Sequence, residues 1–241
     1  MKGIILAGGS ATRLRPCTKV TNKHLLPVYN KPMIYYPLNT LLKAGIKDIL
    51  IITAPQGAGQ YLNLLGSGRE FGARFTYEIQ DHPNGIAEAF IIGENFIDDD
   101  SVTLILGDNI YEDDLSGAIS SFVRGGRVFA KIVSDPERFG IVEMDAQGKV
   151  LSIEEKPEHP KSNYCVTGCY IYDRYVTEAV KHLRPSGRGE LEIVDVHNWY
   201  LERGELDVCV IQGEWIDAGT FDSLYRAQIL AKEKLQHRMI I

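Results

Sequence analysis

The stretch Met1-Lys-Gly-Ile-Ile-Leu-Ala-Gly-Gly-Ser-Ala-Thr-Arg-Leu-Arg-Pro16 decides the fold. Its apolar run from Ile4 to Ala7 ends directly in the glycine pair Gly8-Gly9. Continuous apolar runs of this length are typical of strands that are buried on both faces of a parallel sheet. Glycines let the backbone approach a ligand closely, and successive N–H groups in such a turn bind anions. The stretch therefore predicts a first strand that leads into a phosphate-binding loop.

Side chains after the glycine pair add further donors for phosphate oxygens. These are the hydroxyls of Ser10 and Thr12, the guanidinium of Arg13 and the ammonium of Lys23. The loop lacks the third glycine of the dinucleotide fingerprint, which argues against a dehydrogenase, and it lacks the Gly-Lys-Ser/Thr of a P-loop. A tight turn without a ligand is the alternative for Gly8-Gly9, and the added donors favour the anion site.

Apolar runs alternate with helix-length segments through the first half of the chain. This alternation favours an α/β fold with a mostly parallel central sheet flanked by helices. The expected strands span 4–7, 48–53, 75–80 and 102–106, and the expected helices span 33–44, 59–65 and 85–96.

Short strands separated by turns dominate the second half, which favours a smaller mixed or antiparallel substrate lobe. We expect strands at 127–134, 141–144, 150–154, 164–172, 207–211 and 215–217, and helices at 174–183, 192–203 and 220–236, the last with Thr220 as its N-cap. Because no linker interrupts the sequence, we expect a single domain over 1–241, with a core at 1–110 and the lobe at about 127–172.

Two aspartates end predicted strands. Asp108 follows the strand at 102–106, and Asp217 ends the strand at 215–217. Ligands of open α/β sheets gather at the carboxyl ends of the strands. Two carboxylates there suit Mg²⁺, which takes few protein oxygens and keeps substrate phosphates in its shell. Turn formation and helix capping are the alternatives for either residue alone.

Charged residues also cluster in Glu154-Glu-Lys-Pro157 and in Arg188-Gly-Glu-Leu-Glu192. A functional interpretation places Lys156 against a second phosphate and Glu155 against polyol hydroxyls. The alternative is a charged strand end followed by a helix start, with Arg188 serving either as surface charge or as a phosphate ligand.

Composition limits the partners and the compartment. The 241 residues contain 26 Lys and Arg against 32 Asp and Glu, so the net charge of −6 disfavours binding to nucleic acid. No segment approaches the roughly 20 apolar residues of a membrane span. Two of the four cysteines, Cys165 and Cys169, fall in one predicted strand, and we expect all four to be reduced structural thiols. Without a targeting signal, we expect a cytoplasmic protein.

The chain resembles the sugar-1-phosphate nucleotidylyltransferases over nearly its whole length. The motifs that carry the resemblance are Leu6-Ala-Gly-Gly-Ser-Ala-Thr-Arg-Leu-Arg-Pro16, Lys23-His-Leu-Leu-Pro-Val28, Lys31-Pro-Met-Ile-Tyr-Tyr-Pro37, Gly85-Ile-Ala-Glu-Ala-Phe90, Leu106-Gly-Asp-Asn109, Asp135-Pro-Glu-Arg-Phe-Gly140, Glu154-Glu-Lys-Pro157, Lys161-Ser-Asn-Tyr164, Arg188-Gly-Glu-Leu-Glu192 and Trp215-Ile-Asp-Ala-Gly-Thr220.

This resemblance implies a Rossmann-like core and Mg²⁺-assisted transfer of a nucleotidyl group from dTTP to glucose 1-phosphate. It implies nucleotide binding at Leu6, Gly8, Gly9, Thr12, Arg13, Lys23, Gln80, Gly85 and Asp108, with Gln80 and Gly85 at the thymine edge. It implies sugar-phosphate binding at Asn109, Gly140, Glu155, Lys156, Val166, Tyr170 and Arg188, and Mg²⁺ binding at Asp108 and Asp217. The catalytic residues it implies are Arg13, Lys23, Asp108, Lys156 and Asp217.

The resemblance further suggests a homo-oligomer whose product enters a polysaccharide that contains rhamnose or another deoxysugar. Two rival functions stay open: the same chemistry with UTP or another nucleoside triphosphate, and a non-catalytic sensor of nucleotide sugars. Ala11 and His24 stand where the family usually has glycine and glutamine. Longer family members continue with a helical segment that contributes to a regulatory site and to subunit contacts, so we expect a short form that lacks this extension.

Overall fold

A computed structural model describes residues 1–9 and 11–241, so Ser10, a predicted phosphate donor, lies outside the described residues. The strands are β1 Lys2–Ala7, β2 Pro27–Val28, β3 Lys31–Pro32, β4 Asp48–Thr53, β5 Arg74–Ile79, β6 Val102–Leu106, β7 Asn109–Tyr111, β8 Gly126–Ile132, β9 Gly140–Met144, β10 Val150–Glu155, β11 Tyr164–Tyr172, β12 Leu206–Val210 and β13 Trp215–Asp217. The α-helices are α1 Tyr35–Lys43, α2 Ala58–Leu65, α3 Glu88–Ile92, α4 Glu94–Ile97, α5 Ser116–Ser120, α6 Val176–Lys181, α7 Ile193–Glu202 and α8 Phe221–Leu230.

A nine-stranded sheet runs through the molecule in the order β10-β9-β11-β6-β1-β4-β5, with β8 paired to β11 and β12 paired to β8. The neighbours β6, β1, β4 and β5 are parallel to one another. Side chains of β1 alternate between two apolar clusters: Ile4 and Leu6 belong to one, Ile5 and Ala7 to the other. Because both faces of the strand are buried, its sequence is apolar throughout and not alternating.

The second half extends the same sheet. Strand β11 runs antiparallel to β6 and carries β8 and β9 as further antiparallel neighbours. The predicted fold class, a mostly parallel α/β sheet with a smaller antiparallel part, is confirmed. Register shifts in β11 between Val166 and Tyr170, where it leaves β8. This irregularity lies beside the candidate site described below.

The structure differs from the sequence prediction at one helix and at one unpredicted strand. The helix expected over 85–96 is broken into α3 and α4, because Gly85 has a φ of +105° and the chain bends again at Gly93. Strand β7 was not predicted. It pairs with β13, so Asp217 arrives on a separate two-stranded antiparallel ribbon and not at the end of a central parallel strand.

The C-terminal helix has the expected cap. The Thr220 hydroxyl accepts from the Ser223 amide at 3.2 Å, and the Thr220 amide donates to the Ser223 hydroxyl at 3.0 Å. Helix α8 ends at Leu230 and continues as a π-helical turn over Ala231–Leu235.

Two further expectations concern membranes and thiols. Among the described residues, no helix is long and apolar enough to cross a membrane. Cys17, Cys165, Cys169 and Cys209 are all free, as predicted. Burial raises the pKa of the Cys165 thiol to about 12, which makes it a poor nucleophile.

Candidate active site

The loop after β1 has the backbone freedom that the sequence predicted. Gly9 has a φ of +92°, and Ala11 occupies the left-handed region with φ 46° and ψ 39°. This conformation costs an L-residue with a Cβ roughly 1–2 kcal/mol. Ala11 is therefore strained at a position where a glycine would not be. A cavity of about 410 Å³ lies beside the loop, and Gly9, Ala11 and Lys23 form part of its wall.

His24 anchors the segment that carries Lys23. Its Nδ1 lies 2.7 Å from Asn22 Oδ1 and 3.1 Å from the Tyr61 hydroxyl. The imidazole also fills the space beside Gly107, where an added Cβ would come within 2.7 Å of the ring. Burial lowers the pKa of His24 to about 3, and the neighbouring Lys23 ammonium acts in the same direction. His24 is therefore a neutral structural group that fixes Lys23 next to Gly107-Asp108.

The predicted pair of aspartates is brought together by β7 and β13. Asp217 lies opposite Asn109, and the Ala218 amide donates to the Asp108 carbonyl at 2.9 Å. Lys23 Nζ donates to Asp108 Oδ2 at 2.5 Å. Arg13 Nη2 and Asp217 Oδ1 each lie 2.9 Å from the point that a Cβ on Gly219 would occupy. Two cations and two carboxylates thus gather around the end of β13.

The electrostatics of this cluster follow from its burial. Burial opposes ionisation of Asp108, but the Lys23 ammonium and the hydrogen bonds from Lys23 and Asn109 outweigh it and hold the pKa of Asp108 well below its usual range. Burial and the Asp108 charge raise the pKa of Asp217 to about 6, against the opposing pull of Lys23 and Arg13. Asp108 is therefore the firmly ionised member of the pair. The ionised form of Asp217 is the one that an added cation would stabilise most.

The carboxylate pair fits a magnesium ion. Asp217 Oδ1 is buried and has no hydrogen-bond partner among the described residues. Within residues 1–9 and 11–241, no group of three or more His, Cys, Asp or Glu side chains is arranged to hold a metal ion. Mg²⁺ is commonly held by one or two carboxylates while phosphates and water complete its shell. A two-carboxylate site with an unpaired oxygen meets that requirement, and the Lys23 ammonium on Asp108 shows that the site accepts positive charge.

Gln80 and Gly85 lie together, as the resemblance implied. Gln80 Nε2 donates to the Gly85 carbonyl at 3.1 Å and to Glu88 Oε2 at 2.8 Å. Gln80 Oε1 lies toward Gly8, 2.9 Å from the point that a Cβ there would occupy. Glu88 therefore fixes the orientation of the Gln80 amide, a role that sequence reasoning missed although Glu88 belongs to the quoted motif Gly85–Phe90.

A second cavity, of about 160 Å³, collects the predicted sugar-phosphate residues. Its wall includes Gly140, Glu155, Lys156, Val166, Tyr170 and Arg188. Lys156 Nζ lies 2.9 Å from Glu155 Oε1, and Arg188 Nη2 lies 3.5 Å from the same oxygen. Arg188 also forms an ion pair of 3.0 Å with Glu192. Lys156 has a φ of +44°, a left-handed conformation held by its amide, which donates to the Phe139 carbonyl at 3.0 Å.

Tyr170 brings a buried hydroxyl from β11 into the wall of this cavity. Burial raises the pKa of its hydroxyl, and the negative charges of Glu155, Asp108 and Asp217 add to the shift. The Tyr170 hydroxyl therefore stays protonated near neutral pH.

Asn109 is the one predicted sugar-site residue that does not line the cavity. Its Oδ1 accepts from the Gly168 amide at 3.0 Å and from Trp215 Nε1 at 2.6 Å, while its Nδ2 donates to Asp108 at 3.1 Å. These bonds tie β11 and β13 to Asp108, and a contact between Asn109 and the sugar stays a prediction. Sequence reasoning also missed His197, which lines the cavity from α7.

Comparison with known proteins identifies the family. The nucleotidyl transferase family matches residues 2–234. The glucose-1-phosphate thymidylyltransferase of Neisseria meningitidis serogroup A is 52% identical over 234 residues, which cover 94% of this chain and 81% of the relative. The enzyme of the same name from Mycobacterium tuberculosis H37Rv is 52% identical over 232 residues, with the same coverage of both chains.

Solved structures agree with this comparison. A Bacillus anthracis structure assigned as a glucose-1-phosphate thymidylyltransferase, in complex with sucrose, is 50% identical with a TM-score of 0.92, covering 97% of this chain and 96% of that one. A UDP-glucose pyrophosphorylase bound to UDP-glucose shares the fold with a TM-score of 0.84 at 23% identity, covering 97% and 98%.

The chain therefore belongs to the nucleotidyl transferase family. Within that family, its relatives place it among the glucose-1-phosphate thymidylyltransferases.

Proposed function

We propose that the protein transfers a thymidylyl group from dTTP to α-D-glucose 1-phosphate and releases pyrophosphate and dTDP-glucose. The observation that carries this proposal is the link between Asp108 and the second cavity: Asn109 bonds to Asp108 and to Gly168, and Gly168 lies on β11 between the two β11 residues of the cavity wall. Lys23, which helps to line the cavity beside the phosphate loop, forms an ion pair with Asp108. In this proposal the two substrates extend from their cavities to the carboxylates, where the reacting phosphates meet.

The reaction needs charge compensation more than it needs a proton carrier. A phosphate oxygen of the sugar phosphate attacks the α-phosphorus of the triphosphate, and the bond from that phosphorus to the pyrophosphate oxygen breaks. Since the attacking oxygen is already anionic, no general base is required. The obstacle is repulsion between two anions, which fixed cations remove. Arg13 and Lys23 are placed to hold the triphosphate, and Lys156 and Arg188 are placed to hold the sugar phosphate.

Asp108 and Asp217 would hold Mg²⁺, which would neutralise charge on the α-phosphate and on the departing pyrophosphate. Lys23, now bonded to Asp108, would then be free to bind the phosphates. Asp217 Oδ1 would gain the partner that it lacks among the described residues.

Binding of the sugar phosphate would rearrange the ion pairs of the second cavity. A dianionic phosphate competes with Glu155 for Lys156 and Arg188, which lie 2.9 and 3.5 Å from that carboxylate. Glu155 is then free to accept hydrogen bonds from sugar hydroxyls. The pre-formed ion pairs therefore keep the cations aimed at the cavity before the substrate arrives.

The base is selected in part by Gln80. Its Nε2 is engaged by Gly85 and Glu88, whereas no described residue donates to its Oε1. A free carbonyl oxygen accepts from the N3–H of thymine or uracil, but it meets the unprotonated N3 of cytosine unfavourably. Gln80 thus favours dTTP and also admits UTP, so a UTP-dependent transferase is the second candidate function.

Pyrophosphate release over a matrix of dTTP, UTP, CTP and ATP against several hexose 1-phosphates tests this proposal. We expect dTTP with glucose 1-phosphate to give the highest kcat/KM, UTP to follow, and CTP to be poor. Preference for UTP would establish the second candidate. Tight binding of dTDP-glucose without turnover of any pair would indicate the non-catalytic sensor and overturn the proposal.

We also propose three wider properties. A homo-oligomer is supported by α8, which exposes Phe221, Tyr225 and Ile229 at four-residue intervals as one apolar stripe; light scattering after gel filtration tests it. A cytoplasmic location is supported by the free cysteines. Use of the product in a polysaccharide that contains a deoxysugar rests on the sequence resemblance alone, and product analysis of a deletion strain tests it.

A further inference from the structure

A histidine that no motif singled out forms part of the sugar-site wall. His197 lies on α7 and is fully buried. It lines the second cavity together with Tyr170, and the centroids of the two rings are 5.1 Å apart. No described residue pairs with the Tyr170 hydroxyl, so two uncharged polar groups lie side by side on the cavity wall, next to the apolar Val166, Ile193 and Val194.

The inner edge of His197 is fixed by Tyr172. The Tyr172 hydroxyl lies 2.6 Å from His197 Nδ1 and has no other hydrogen-bond partner among the described residues. Tyr172 is fully buried and stacks on Tyr200 with centroids 5.2 Å apart. A buried hydroxyl proton needs an acceptor, and Nδ1 is the acceptor available to it. Tyr172 therefore donates to Nδ1, which places the proton of the neutral imidazole on Nε2.

The opposite edge of the ring is unsatisfied. His197 Nε2 is buried and lacks a hydrogen-bond partner among the described residues. Burial lowers the pKa of His197 to about 3, so the ring is neutral near pH 7 and Nε2 carries a single N–H donor. A buried donor without an acceptor is costly, and such groups in native proteins usually have a ligand or an ordered water as partner. Because His197 belongs to the cavity wall, a sugar hydroxyl seated against that wall would supply the acceptor once the side chains that cover Nε2 move aside.

Resting on the proposed function, we propose that His197 Nε2–H donates a hydrogen bond to one hydroxyl oxygen of the bound sugar and thereby determines which hexose 1-phosphates react well. The charged groups of the cavity, Lys156 and Arg188, serve the phosphate, so discrimination between hydroxyl positions falls to uncharged donors and to Glu155. A site built to hydrogen-bond a hydroxyl rejects analogues that lack it, because its own polar group is then left unpaired. His197 is thus a specificity-determining residue.

Two variants, each of which reproduces one of the two hydrogen-bonding positions of the imidazole, separate this role from a structural one. A glutamine amide can place its N–H near the former Nε2, while an asparagine oxygen can replace Nδ1 as the acceptor for Tyr172. We expect His197→Asn to keep the Tyr172 bond but lose the donor to the sugar, which lowers kcat/KM for glucose 1-phosphate about tenfold with the KM for dTTP unchanged. We expect His197→Gln to retain a larger share of activity than His197→Asn.

Deoxy analogues locate the hydroxyl. Wild type and His197→Asn are compared on glucose 1-phosphate and on its 2-, 3-, 4- and 6-deoxy forms. If the proposal holds, one analogue reacts equally well with both proteins, because it lacks the oxygen that Nε2–H would reach, and the other analogues keep the tenfold difference. An equal loss on every analogue, or a parallel rise in the KM for dTTP, would identify a purely structural histidine.

Wild-type protein gives an independent measurement that does not depend on the folding of any variant. Histidine side chains labelled with ¹⁵N report the Nε2–H resonance of a buried ring directly. We expect one buried Nε2–H signal to shift when glucose 1-phosphate is added and to stay in place with inorganic phosphate alone. No shift at saturating sugar phosphate overturns the inference. Failure of the proposed function is distinguishable, since wild type would then turn over no hexose 1-phosphate.

Discussion

Asp217 lies opposite Asn109 in the β7–β13 pair, which sets its carboxylate next to Asp108, the residue before Asn109. The backbone bond from the Ala218 amide to the Asp108 carbonyl, 2.9 Å long, fixes this relationship independently of the side chains. Two mutually repelling carboxylates are therefore held close by a β-ribbon. Such an arrangement is stable only with a compensating cation, which Lys23 supplies in part.

The first prediction follows from this pair. Asp217→Asn removes an anionic oxygen from the magnesium site, and we expect turnover at limiting Mg²⁺ to fall by about a hundredfold. Raising the Mg²⁺ concentration should recover part of the loss, because the defect lies in metal affinity. Pyrophosphate release as a function of Mg²⁺ concentration measures both effects.

Asp99→Asn is the matched control, since the Asp99 side chain is 88% exposed and lies in a different turn. It should leave the Mg²⁺ dependence unchanged. Wild-type activity of Asp217→Asn at limiting Mg²⁺ would remove Asp217 from the metal site.

A second prediction concerns Lys156 and the division of the site into two cavities. Lys156→Ala should raise the KM for glucose 1-phosphate about tenfold or more, because a charge-assisted bond to phosphate is lost. The KM for dTTP should change much less. Initial rates with each substrate varied in turn provide the two constants.

Lys161→Ala is the corresponding control. Lys161 pairs with the exposed Glu154 and is not part of the cavity wall. Its removal should leave both constants within about twofold, as expected for an exposed ion pair. A larger effect of Lys156→Ala on dTTP than on the sugar phosphate would mean that Lys156 belongs to the nucleotide subsite.

A third prediction links pH to stability through His24. Burial lowers its pKa to about 3 in the folded chain, whereas the unfolded chain titrates near 6.5. Below pH 6.5 His24 therefore binds a proton in the unfolded state but not in the folded state. The free energy of unfolding should fall by about 1.4 kcal/mol per pH unit from this group as the pH drops from 6.5 toward 3.

His24→Gln should remove that contribution and reduce the slope between pH 6 and 4, measured by urea unfolding, while the equal contribution of the buried His197 stays. The exposed His159 provides the control, and His159→Gln should leave the slope as it is in wild type. Identical slopes for His24→Gln and wild type would show that His24 becomes protonated within the folded protein.

Much of the fold could be predicted because each strand of the parallel half is buried on both faces. The runs at 48–53 and 102–106 match β4 and β6 residue for residue. The ribbon of β7 and β13 could not be predicted, since Asn109–Tyr111 is only three residues long and its partner is 104 or more positions away along the chain. The break at Gly93 inside an apolar helical pattern could not be predicted for a similar reason. It depends on packing against Ile4 and Leu50, which are distant along the chain.

The candidate site likewise contains residues that could be predicted from the sequence and residues that could not. The resemblance predicts that Lys156 and Arg188 bind a phosphate; the structure places both in one cavity wall, and the phosphate contact itself stays a prediction. His197 could not be found, because a single histidine in an amphipathic helix carries no signal until the fold shows which face meets the cavity. The strain at Ala11 was foreseeable only as a departure from glycine, and its φ of 46° shows its physical cause.

The last prediction concerns Gly85, where the nucleotide side and the sugar side of the site are joined. A Cβ at this position would lie 2.3 Å from the Leu191 carbonyl oxygen, and φ is +105°. Leu191 is bonded to the same loop through its amide, which donates to the Asn84 carbonyl at 2.6 Å, and it precedes Glu192, the partner of Arg188. Gly85→Ala must therefore separate the Gln80–Gly85 loop from the segment that carries Arg188. We expect the KM values for dTTP and for glucose 1-phosphate to rise together, with a loss of about 2 kcal/mol or more in unfolding free energy.

Gly117→Ala, at a helical glycine with no atom within 4 Å of the added Cβ, should leave both KM values unchanged. If Gly85→Ala affected only the nucleotide constant, the two halves of the site would be mechanically independent at this contact.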